Sequence, residues 1–135
     1  MSTYSIGTSM MKLKESLTTK RNGDLKNLII TYPSNTLSNT LKNQRFKVNC
    51  TSHSISEDKL RANSDIYTED SIAFLLLYDN IDGVTAIRDS SLSMPDEDFK
   101  KNSVVVRYDG KNYEVKEEEK SAFEVGVWLY CINKD

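Results

Sequence analysis

The sequence holds little of what most enzymes work with. It has one histidine, His53, so any Ser–His or Cys–His mechanism must pass through that residue. It has two cysteines, Cys50 and Cys131, fewer than a secreted scaffold of this size usually carries. Two Cys and one His also fall short of the roughly four ligands a structural zinc site wants. The five glycines are scattered, and neither G-x-G-x-x-G nor a P-loop occurs, so nothing marks a phosphate cradle. Asp79, Asp82 and Gly83 resemble a calcium loop, but the alternating acids and the closing bidentate Glu are missing. No apolar run is long enough to span a membrane, and the polar first residues are followed by no run of signal length. These absences lead to the expectation of a cytoplasmic protein with reduced thiols, no metal and no cofactor. Without a secretory signal, the sequon at Asn49-Cys50-Thr51 is read as an accident of an Asn- and Thr-rich chain.

Cys50 and His53 do stand at C-x-x-H spacing. However, Cys50 alternates with Phe46 and Val48, which places it on the core side of a strand, and His53 lies in a polar Ser/Thr stretch. Acids are so plentiful that no carboxylate pair suited to glycoside chemistry stands out. No catalytic residue is assigned.

What is present is a chain of 135 residues, the size of one domain over 1–135, with 38% apolar and 28% charged residues. Its clearest local signal is at 103–115, SVVVRYDGKNYEV. Asp109-Gly110 between alternating apolar residues marks a two-residue hairpin, because a type I′ turn needs φ > 0 at both central positions. The register then sets Tyr108 opposite Lys111, Val106 opposite Tyr113 and Val104 opposite Val115 on one largely apolar side. Val105 and Glu114, with Arg107 and Asn112, take the other side.

Around this hairpin the pattern predicts a helix at 9–21, capped by Ser9, with Met10, Leu13 and Leu17 on one face. A short edge strand is expected at 2–7 and further strands at 25–32 and 45–51. The twin tetrapeptide Ser-Asn-Thr-Leu at 34–41 reads as a polar loop with a helical turn. A short helix capped by Ser56 is expected at 56–62. The run SIAFLLLY at 71–78 is read as a buried strand on its length, with a helix capped by Thr68 as the alternative. Residues 84–88 are expected to return as its partner strand, 116–120 to form a charged connection, and 123–132 to form a central strand by its period of two. The expectation is an α+β domain, an N-terminal helix packed on a mainly antiparallel sheet of about five to seven strands.

Charge is divided unevenly. Residues 1–50 sum to +6 and residues 51–135 to −8. Within 57–98, eleven carboxylates face three cations. An acidic domain without a catalytic set points to a protein-binding role, of the inhibitor or immunity-protein kind, that masks a basic site on a toxin or enzyme. The candidate contact residues are Glu57, Asp58, Asp79, Asp82, Asp96, Glu97 and Asp98, with Trp128 and Tyr130 as aromatic anchors. The alternatives are a small enzyme with an unrecognised site and a nucleic-acid-binding protein. The latter would use Lys12, Lys14, Lys20, Arg21, Lys26, Lys42, Arg45 and Lys47, with Tyr32 and Phe46 stacking on bases.

Overall fold

The computed structural model describes residues 25–135. The helix expected at 9–21 and the strand expected at 2–7 lie outside them. Six strands form in chain order: β1 (Lys26–Thr31), β2 (Arg45–Ser54), β3 (Ile72–Leu77), β4 (Val105–Tyr108), β5 (Lys111–Lys120) and β6 (Gly126–Asn133). Their spatial order is β1-β2-β3-β6-β5-β4, and β4 pairs back onto β1, so the sheet closes into a barrel. Every pairing is antiparallel. This corrects the α+β expectation. Among the described residues there are only two short helices, α1 (Glu57–Ala62) and α2 (Tyr78–Ile81). Closure rests on Ile29, Ile30 and Thr31 pairing with Arg107, Val106 and Val105, residues remote in sequence. A sheet closed on itself puts its main core inside rather than under a helix.

The hairpin forms in the register its sequence implies, with Tyr108 opposite Lys111 and Val106 opposite Tyr113. Asp109 and Gly110 have φ of 52° and 76°, as the turn requires. Val104 does not join the ladder; it is buried just before β4 and its N–H bonds the Phe99 carbonyl. Residues 71–78 resolve as strand over Ile72–Leu77, and both faces are buried. Phe74 and Leu76 point into the barrel, while Ala73, Leu75 and Leu77 belong to two smaller outer clusters. That explains an unbroken apolar run where a half-exposed strand would alternate. Inside the barrel, Phe74 meets Tyr108 and Tyr113 edge-on at centroid distances of 5.1 and 5.8 Å.

Three further expectations change. Residues 84–88 do not return to β3. They belong to the crossover from β3 to β4, which spans one end of the barrel and touches β2 through the Phe46–Ala86 bridge and the Ile87 N–H on the Arg45 carbonyl. Its side chains Ile81, Ala86, Met94 and Phe99 are buried and plug that end. The charged stretch 116–120 continues β5 instead of leaving the sheet, because β6 pairs with it as far as Lys120. The terminal strand begins at Gly126 rather than at 123. Residues Ala122–Glu124 form a 3-10 turn in which Phe123 and Glu124 have φ of 60° and 51°. Strict alternation counted Phe123 as inward, but this turn leaves it 51% exposed.

Gly126 sits where β6 pairs closely with Leu77 of β3. A Cβ there would run into the Leu76 carbonyl oxygen, a backbone atom that cannot swing away. Gly126→Ala is therefore expected to cost about 1–3 kcal/mol as overpacking, read as a lower urea midpoint at unchanged slope. Tyr32 supplies a test of opposite sign. Its ring is fully buried edge-on to Phe46 at 5.7 Å, and its hydroxyl has no hydrogen-bond partner among the described residues. Tyr32→Phe removes an unsatisfied buried group and is expected to raise stability by about 1 kcal/mol in the same titration.

Candidate functional site

The surface chemistry begins with one extra residue in β5. Val115 pairs with Cys131, but the next pairing is Glu117 with Tyr130, so Lys116 forms a bulge. In an unbroken ladder Glu117 would face Leu129, whose side chain is fully buried in the barrel. The bulge reverses this parity. Glu117 and Glu119 lie beside Tyr130 and Trp128 on the outer face, and Glu118 pairs with Leu129 near the plugged end. There Glu118 Oε1 accepts the Lys100 N–H at 2.9 Å.

On the outer face Glu117 anchors the segment that follows β2. Tyr67 Oη donates to Glu117 Oε1 at 2.6 Å, and Lys59 Nζ donates to Oε2 at 3.0 Å. Lys59 also lies over the Tyr130 ring at 4.2 Å. Tyr130 and Trp128 stack with planes 19° apart, and Tyr130 Oη donates to Glu119 Oε1 at 3.2 Å. Ile55, Leu60 and Tyr67 pack with Ala73, Trp128, Tyr130 and Ile132 to complete this outer layer. Ser56 caps α1 as expected, accepting the Lys59 N–H. Trp128 and Tyr130 are thus half-buried packing residues under α1. The exposed Glu57 of the same helix pairs with Arg61.

The Cys50–His53 pair does not assemble. The two side chains leave β2 on opposite faces. Cys50 faces the core, where burial pushes its thiol up to about 12. His53 lies outside, hydrogen-bonded to Thr51 Oγ1 at 2.7 Å and edge-on to Trp128 at 5.1 Å. Base stacking by Tyr32 and Phe46 is likewise ruled out by position, since both are fully buried. Of the eight basic residues in that reading, Lys12, Lys14, Lys20 and Arg21 lie outside the described residues. Among the described residues, no group of three or more His, Cys, Asp or Glu side chains is arranged to hold a metal ion. No helix there is long and apolar enough to cross a membrane.

The other candidate acids do come together, at the plugged end. Asp79, Asp82 and Asp96 line one hollow with Tyr78 and Met94. Asp96 also lines its neighbour with Glu97, Asp98, Glu118 and Glu119. Together the two hollows carry seven carboxylates against the lysines 100, 101 and 120. The Tyr78 phenol is raised by burial first and then by Asp96, Glu124 and Glu97, with Lys120 opposing. Tyr78 N–H bonds the Val125 carbonyl, which ties the Phe123 turn to this same end. Of the candidate contacts, Asp79, Asp82, Asp96, Glu97 and Asp98 form the acidic end, while Glu57 and Asp58 lie on α1 and Trp128 and Tyr130 line neither hollow. Glu118 and Glu119 join that end, and the Phe123 turn is tied to it through Val125. No parity argument from sequence could have added them without the bulge and the left-handed turn.

No known protein family, curated protein or solved structure matches the chain.

Glu117 gives the surface a pH dependence. Its carboxyl is held below the usual range, first by the Tyr67 hydroxyl and then, against the desolvation that raises it, by Lys59. A lowered folded value means the stabilisation is present above the ordinary glutamate range and is lost as pH falls through the lowered value. Glu117→Gln is expected to weaken the fold by about 1 kcal/mol at neutral pH and to narrow the gap from wild type below about pH 4. Urea titrations at both pH values measure this, and a constant gap would refute the role of the charge.

Proposed function

We propose that this chain is a non-catalytic protein-binding domain whose acidic end masks a basic site on a target protein, in the manner of an inhibitor or immunity protein. The observation that carries this reading is the meeting of two carboxylate-lined hollows at Asp96, at the end to which the Phe123 turn is tied through Val125. Phe123 and Glu124 are also held in left-handed backbone, a conformation that costs roughly 1–3 kcal/mol per residue and recurs at ligand-contacting segments. Carboxylates concentrated on one end attract a basic partner over a Debye length and raise the association rate more than the final affinity. A cytoplasmic setting belongs to the same proposal and is supported by two buried, unpaired cysteines.

The reading is tested by capture from native lysate on immobilised wild type and on a D79N/D82N/D96N/E97Q variant. Wild type should retain a stoichiometric basic protein, and the variant should bind that protein at least about tenfold more weakly, chiefly through slower association. Equal retention by both, or a partner with an acidic contact surface, would sink the proposal.

A further inference from the structure

The barrel wall next to the acidic end has the opposite charge. One hollow of about 650 Å³ lies over the β1–β4 seam, with half-buried Ile29 and Val105 in its floor and Arg45, Arg107 and Lys134 around it. Val105 and Lys134 also line a second hollow, which adds Lys100 and Lys116. Across both, five cations face only two carboxylates, Glu114 and Asp135. Both carboxylates are already engaged. Glu114 meets Lys116 at 3.5 Å, and Asp135 holds Asn112, which in turn contacts Arg107 at 3.5 Å. Arg45 and Arg107 are exposed and flank β1 from either side, opposite Thr31 and Ile29.

The two surfaces are complements. One is a pair of adjoining hollows with seven carboxylates, and the other is an apolar floor with a cationic rim. Both belong to the rigid barrel, and Lys100 lines a hollow of each, so they sit side by side and cannot meet within one molecule. No exposed aromatic lines either basic hollow, which leaves nothing there for bases to stack on. We infer that the occupant of the basic wall is a second copy of this chain, bound through its acidic end. The inference rests on the acidic end being a binding face. Because the joined surfaces are unlike, the contact is head-to-tail and each added copy leaves one of each face open. A cellular target that occupies the acidic end would then compete with this assembly.

The test is the weight-average mass by sedimentation at ~0.01 M and ~1 M salt, where the Debye length falls from ~30 to ~3 Å. Wild type should exceed the monomer mass at low salt and return to it at high salt. R45Q/R107Q, which neutralises the wall, and D96N/E97Q, which neutralises the end, should each associate at least about tenfold more weakly. Mixed in equal amounts, they retain one intact wall and one intact end between them and should form a one-to-one dimer that grows no further. All four side chains are exposed, and unchanged urea midpoints confirm that both variants fold. The inference is overturned by a monomeric wild type at ~1 mM protein and low salt, by either variant associating like wild type, or by no dimer in the mixture. It is also overturned if Arg45 and Arg107 govern binding of duplex nucleic acid but not self-association. A monomeric wild type whose acidic end still captures a basic protein would leave the proposed function standing.

Discussion

Every strand of a small barrel has an inner and an outer side, and in β5 one unpaired residue sets which glutamates take each. Its sequence from Lys116 to Lys120 contains no apolar side chain, yet it pairs along β6, whose inner positions are filled. The bulge at Lys116 turns Glu117 and Glu119 outward. From that follow the anchoring of the α1 segment through Tyr67 and Lys59, and the delivery of Glu118 and Glu119 to the plugged end. Without it, Glu117 rather than Glu118 would stand opposite the buried Leu129, and its contacts with Tyr67 and Lys59 would be lost.

The same alternation sorts the surface by charge. The buried inward positions of β1, β2, β4 and β6 are apolar, so the ionised side chains of those strands gather on the wall or at the ends. The acids of the β3–β4 crossover collect where that crossover plugs the barrel. The cations of β2, β4 and the C-terminus collect over the β1–β4 seam. A net charge of −2 thus conceals a molecule with two strong and opposite faces. Binding in this account is a property of those faces, and the barrel's part is to hold them rigid.

How much of this the sequence announces depends on the range of the signal. The hairpin at Asp109-Gly110 is legible because its turn chemistry and its cross-strand pairs lie within a few residues. The run 71–78 is legible as a strand by its length, although its two buried faces are explained only by the outer layer. Barrel closure is not legible, since nothing near Ile30 names Val106 as a partner. The bulge is hidden because five consecutive charged residues carry no period, and the 3-10 turn is hidden because Phe123 happens to continue the alternation of β6. The acids at 79–98 could be counted, but the basic wall could not. It draws Arg107 and Lys134 from the part of the chain that sums to −8.

The measurement that bears most directly on this account is the set of cross-strand proton–proton contacts between β5 and β6 by nuclear magnetic resonance. The account predicts that the Glu117 backbone lies opposite Tyr130 and that of Glu119 opposite Trp128, with Lys116 unpaired. Contacts that instead set Glu117 opposite Leu129 would contradict it, because Glu117 would then turn away from Tyr67 and Lys59, and Glu118 and Glu119 would exchange faces.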